Sequence, residues 1–142
     1  MEIFLVLRNL PGNPMSMTDP IADLLTRIRN AQHGRRTECR ASWSKMKQGI
    51  CDLLKNHGYV ADAMVEGEGK DKEVVVVFKT DRPALILARV SKPGARKYSA
   101  SADIRKILHG NSLAIISTSS GLLTHREAKE KNVGGEVLCT IS

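Results

Sequence analysis

The chain has 142 residues and 15.6 kDa, enough for one domain or two small lobes on a shared junction. Hydrophobic residues at 42% support a packed core and exclude a disordered chain, while aromatics at 4% argue against an aromatic ligand pocket. A net charge of +7 and a pI of about 9.6 point to a polyanionic partner.

Met1–Leu7 is apolar but far too short to span a bilayer, and Glu2 stands where a secretory leader carries positive charge. Arg8 alone is too little for a mitochondrial transit peptide, and Pro11-Gly12-Asn13-Pro14 breaks the chain. With Met15 and Met17 following directly, residues 1–16 read as a mis-set translation start or a short tail outside the fold.

The first element opens at Asp19-Pro20, an N-cap with proline at the first helical position. Ile21, Leu24, Leu25, Ile28 and Ala31 then recur at helical spacing. A basic loop over 31–37 leads to a short strand at Thr37–Ala41. A second helix runs from Ser44 to His57, with Met46, Ile50, Leu53 and Leu54 inward and Gly58 as its stop. Gly49 sits inside it at about 1 kcal/mol relative to alanine, which suggests close packing. Tyr59–Val65 and Glu73–Thr80 read as strands around a hairpin loop, Glu66–Asp71. Val74–Phe78 is too apolar for a one-sided strand and is expected to be covered on both faces.

Asp81-Arg82-Pro83 marks the lobe boundary. Beyond it come a strand, Ala84–Val90, the loop Ser91–Tyr98, and a short helix at Ile104–Leu108 stopped by Gly110. Leu113–Thr118 is a strand. Thr124–Asn132 is a helix with a capping box between Thr124 and Glu127. Gly134-Gly135 turns the chain into a last strand, Glu136–Ile141. The class is α+β: a helix–strand–helix–strand–strand lobe over 17–83 and a mainly antiparallel β lobe with short helices over 84–142.

Several catalytic and metal patterns are missing. Cys39, Cys51 and Cys139 form no CxxC pair and have no ligand spacing with the four histidines, so no metal or other cofactor is expected. Gly67-Glu68-Gly69-Lys70 lacks the spacer and hydroxyl of a phosphate loop and reads as a hairpin turn. Ser119-Ser120-Gly121 lacks the glycine of a nucleophile elbow, and His125 reads as an exposed first-turn residue. The chain is not expected to be an enzyme.

Two segments carry a binding signal. Ser117-Thr118-Ser119-Ser120-Gly121 offers short donors and acceptors without bulk, against which a structured RNA can place sugar hydroxyls and unstacked bases. Lys92-Pro93-Gly94-Ala95-Arg96-Lys97-Tyr98 offers three cations for phosphates and a ring for stacking. Both fall in the more basic part, since residues 87–142 carry 9 Lys and Arg against 4 Asp and Glu, or +5, whereas 17–86 carry 12 against 10, or +2.

Met17–Ala31, Arg89–Gly94 with Tyr98, Ser117–Gly121 and Asn132–Cys139 together resemble small-subunit ribosomal protein eight of the bacterial type. The resemblance covers residues 15–142 and favours Met15 or Met17 as the start. It implies a non-catalytic protein of the cytoplasmic small ribosomal subunit that binds the central domain of 16S rRNA early and helps assemble the platform. Ribosomal proteins five and twelve are the implied neighbours, and binding to its own operon messenger as a repressor is the alternative role; no membrane partner is implied.

By position, the resemblance makes Ser117, Thr118, Ser119 and Gly121 the main RNA contacts, with Gly134, Gly135 and Glu136 beside them. Tyr98, Lys92, Arg96 and Lys97 would touch backbone or a base, and Thr18, Asp19, Arg27 and Asn30 are further candidates. Glu136 would accept from base amino groups, orient donors, or serve structure. The chain departs from the family pattern at Ser120, usually lysine, at His125, commonly aspartate, at Ser42-Trp43, where proline is usual, and at its Thr140-Ile141-Ser142 end.

Overall fold

The computed structural model describes residues 19–142 apart from His109. The expectations for residues 1–16 and for Thr18 lie outside the described residues. Helix α1 (Pro20–His33) begins where expected, with the Asp19 carboxylate accepting from the Ala22 amide at 3.1 Å. Strand β1 (Glu38–Ser42) follows, then α2 (Lys45–Asn56), capped by the Ser44 hydroxyl accepting from the Lys47 amide. Strands β2 (Asp62–Glu66) and β3 (Glu73–Val77) complete an antiparallel sheet in the order β1-β3-β2. Strand β2 starts later than Tyr59, because Gly58 turns at φ +77° and the Tyr59 amide is still bonded to Leu54.

Val74 and Val76 face the helices and join the main core. Val75 points to the other face and is still only 1% exposed. Arg40 and Met64 flank it in register, and the Arg40–Glu66 ion pair (2.7 Å) spans from β1 to β2 above β3. Both faces of the valine run are thus covered, the outer one around Val75 by Arg40 with its Glu66 partner and by Met64.

The second sheet holds β4 (Leu87–Arg89), β5 (Tyr98–Ser99), β6 (Leu113–Thr118), β7 (Gly121–Thr124) and β8 (Gly135–Ile141), ordered β4-β8-β6-β7 with β5 also on β8. Helix α3 (His125–Glu130) follows β7 directly, and the Thr124 hydroxyl caps it, accepting from the Glu127 amide at 3.2 Å and donating to the Glu127 carboxylate at 3.1 Å, so the carboxylate returns to the hydroxyl of Thr124. It stops before Asn132, which takes φ +53°. The short helix expected at Ile104–Leu108 is a single 3-10 turn, Ile104–Ile107. Strand β4 is shorter than Ala84–Val90, although Ile86 still pairs with Ser142 and Val90 with Leu138.

Ile104, Ala114, Ile116, Leu123, Ala128 and Val137 pack between the second sheet and α3. Its other face gives Ile115, Leu138, Cys139 and Ile141 to the same core as Ile21, Leu24, Ile50 and Leu54. The two lobes therefore share apolar packing across the boundary. Asp19 and Arg89 add an ion pair at 3.1 Å, and the Arg29 guanidinium donates to the Leu87 carbonyl at 2.8 Å.

Candidate nucleic-acid interface

The register brings distant residues into one line. Ser117 on β6 pairs with Glu136 on β8, and Glu136 pairs on its other side with Tyr98 on β5. Registered partners share a face, so Ser117, Glu136 and Tyr98 form a transverse row roughly 10 Å long at ordinary strand spacing. Leu122 on β7 extends the row and closes against α2, where a Cβ on Gly49 would lie 2.5 Å from its Cδ1. Lys45, Met46, Gln48 and Gly49 of α2 and Ser117, Gly121 and Leu122 of the hairpin line a groove between the lobes. The close packing expected at Gly49 is there.

The hairpin from β6 to β7 turns through Ser119 and Ser120, and Gly121 takes φ +100°. That conformation favours glycine. The Thr118 hydroxyl donates to the Gly121 carbonyl at 2.8 Å and accepts from the Ser120 amide at 3.1 Å. Thr118 thus fixes the turn. Ser119 and Ser120 are exposed at its tip.

Gly134 and Gly135 lie beside the row for steric reasons. A Cβ on Gly134 would sit 2.5 Å from the Ser99 carbonyl oxygen, and one on Gly135 would collide with the Ser117 carbonyl. They let three backbones close around the row and offer no side chain of their own.

The basic loop is an excursion from the edge of β8. Val90 and Ser91 donate to Leu138 and Val137, the chain leaves at Lys92, and Val137 donates back to the Lys97 carbonyl at 2.9 Å. Lys92 and Ala95 exchange two backbone bonds within the loop. Ser91 is fully buried; its hydroxyl donates to the Glu136 carboxylate and accepts from the Lys97 amide at 3.1 Å. Arg96 meets the same carboxylate oxygen at 2.9 Å. Burial pushes the Glu136 carboxyl up, but the Ser91 hydroxyl and the Arg96 guanidinium outweigh it and hold the group below the usual range. Lys92 and Lys97 are exposed and carry no ion pair among the described residues. Tyr98 is 72% exposed, an unusual placement for a large ring.

The remaining candidates do not join the row. Asp19 caps α1 and holds Arg89. Arg27 pairs with Asp23 at 3.1 Å, and with Asn30, Arg36 and Arg40 it lines a separate depression on the first lobe. Sequence reasoning did not single out Ser91 or Arg89, whose partners Glu136 and Asp19 lie 45 and 70 positions away.

The expectation that His125 is an exposed surface residue is corrected. It is half-buried, and its Nδ1 accepts from the Ala114 amide at 3.2 Å, which turns the ring into the lobe. The thiols of Cys51 and Cys139 are pushed up to about 12 by burial, so they are poor nucleophiles at neutral pH.

The Ribosomal protein S8 family model matches residues 19–142. The chain is 44% identical over 131 residues to small ribosomal subunit protein uS8 of Lactobacillus johnsonii, across 89% of this chain and 99% of that protein. It is 46% identical over 131 residues to uS8 of Thiobacillus denitrificans and 46% over 132 residues to uS8 of Xylella fastidiosa, each across 90% of this chain and all of the relative. Matched from the α1 cap to the last strand, and nearly half identical to full-length relatives, the chain belongs to the ribosomal protein S8 family.

Proposed function

We propose that the protein is a non-catalytic constituent of the small ribosomal subunit in the cytoplasm and binds ribosomal RNA through the second lobe. The observation that carries this reading is the transverse row of Ser117, Glu136 and Tyr98, flanked by the Thr118–Gly121 turn and the exposed Lys92 and Lys97. Its short hydroxyls suit sugar and base edges, the exposed ring suits a stacked base, and the lysines suit phosphates. The RNA target we assign is a helix of the central domain of 16S rRNA, bound as the platform assembles next to ribosomal proteins five and twelve. Arg27 and Asn30 are secondary contacts in this reading.

A salt titration of binding to a central-domain fragment, against an unrelated duplex of equal length, tests it. Tight binding to the fragment alone is expected to persist at physiological salt, and an operon messenger that mimics the helix is a third arm. Ser119→Ala should lose about 1 kcal/mol, roughly fivefold, without lowering the melting temperature. Tyr98→Ala should lose about 1–3 kcal/mol. Equal affinity for both RNAs, collapsing as salt rises, would reduce the interface to charge alone.

A further inference from the structure

We infer that Glu136 is a positioning residue for RNA binding: with Ser91 it closes the neck of the Lys92–Arg96 loop and withdraws Arg96 from the phosphate contacts. The inference rests on the RNA-binding reading above.

A carboxylate in the middle of an anion-binding row repels the ligand unless its charge is used locally. Here it is used locally. One carboxylate oxygen takes the Ser91 hydroxyl and the Arg96 guanidinium together, and the Ser91 oxygen takes the Lys97 amide. Ser91 and Lys97 are the two feet of the loop, so this chain of bonds ties both feet to β8 at one point. The side chain of Glu136 is 15% exposed, whereas that of Arg96 is 49% exposed. The buried group is therefore the anchor and Arg96 is drawn to it.

Two further charges that bear on this ion pair, Arg89 and Asp19, are engaged with each other. Arg89 is held by Asp19 and by the Leu138 carbonyl, and the Asp19 carboxylate is held by Arg89 and the Ala22 amide. Of the three loop cations, only Lys92 and Lys97 stand without an ion-pair partner among the described residues. A loop ordered before binding loses its conformational entropy during folding, so the RNA meets a fixed pair of lysines and a fixed Tyr98.

The test reads the neck in the free protein and the contacts in the complex. In the free protein, Glu136→Ala and Ser91→Ala should raise exchange of the Lys97 amide at least about tenfold. Glu136→Gln, which keeps an acceptor for Ser91 and folds as a near-isostere, should raise it less. In the complex with the central-domain fragment, Lys92→Ala and Lys97→Ala should each lower the slope of log K against log salt by about 0.9. Arg96→Ala should weaken binding with the slope unchanged.

Unchanged Lys97 protection in Glu136→Ala and Glu136→Gln, alongside weaker RNA binding, would make Glu136 a direct contact and overturn the inference. So would a slope loss in Arg96→Ala equal to that of the lysine variants. A wild-type protein that does not prefer the fragment defeats the RNA reading instead, while Lys97 exchange still decides whether the neck exists.

Discussion

The ammonium of Lys47 lies almost out of water, with its side chain 5% exposed, and spends its three protons inside the first lobe. They go to Asp23 at 3.1 Å and to the Ser42 carbonyl and hydroxyl at 3.2 and 3.1 Å, joining α2 to α1 and to the end of β1. Burial pushes the Asp23 carboxyl up, yet Lys47 and Arg27 together hold it below its ordinary 3.8. A lowered carboxyl stabilises the fold fully above its ordinary value, and that contribution disappears as pH falls through the folded value. Asp23→Asn should therefore cost about 1 kcal/mol at pH 7, a modest figure because the carboxylate is 42% exposed and screened. Chemical denaturation at pH 7, 5 and 3 checks the sign. The deficit must shrink in acid, and a constant deficit would remove Asp23 from the account.

At the scale of elements, α1, α2 and α3 were legible because each start signal is local. Asp19-Pro20, Ser44 and the Thr124–Glu127 box act within one turn, and all three caps form. Strands β5 and β7 were not legible. Tyr98–Ser99 and Gly121–Thr124 are too short to show alternation, and they are strands only because β8 and β6 lie beside them. The hydroxyl and basic segments were visible as composition, but the row joining them was not, since register is a long-range property. Gly49 shows the same limit. Its mid-helix cost was readable, and its partner Leu122 on β7 was not. Gly49→Ala gains helix propensity and displaces only the end of a leucine side chain, so its net effect should stay within about 1 kcal/mol. Gly49→Val adds branched bulk in the same gap and should cost about 2 kcal/mol. Thermal denaturation of the pair separates propensity from packing, and equal effects would mean that Leu122 does not limit the approach.

Across the whole molecule, charge is sorted by face. Glu38, Glu66 and Glu73 surround Arg40 on the outer face of the first sheet, while Lys92, Lys97 and the hydroxyl turn lie on the second lobe. Such sorting orients a polyanion only if the lobes keep a fixed relation, and three features fix it. The main core contains Ile115, Leu138 and Ile141 alongside Ile28, Ile50 and Leu54, Arg29 reaches the Leu87 carbonyl, and Asp19 pairs with Arg89, whose side chain is 9% exposed. The passage from the first sheet, which ends at Val77, to the second, which begins at Leu87, is thus a change of sheet without a change of core. Unfolding followed by the fluorescence of Trp43, the single tryptophan and a first-lobe residue, should coincide with unfolding followed by methyl signals of Ile115 and Ile116 in the second. Asp19→Asn keeps an acceptor for the α1 cap but leaves Arg89 unpaired in a nearly buried site, at a cost of about 3 kcal/mol. Because the core is shared, both probes should move together in that variant. Separate transitions, with only the second-lobe signals shifted, would mean that each lobe folds on its own and that the Asp19–Arg89 pair merely decorates their junction.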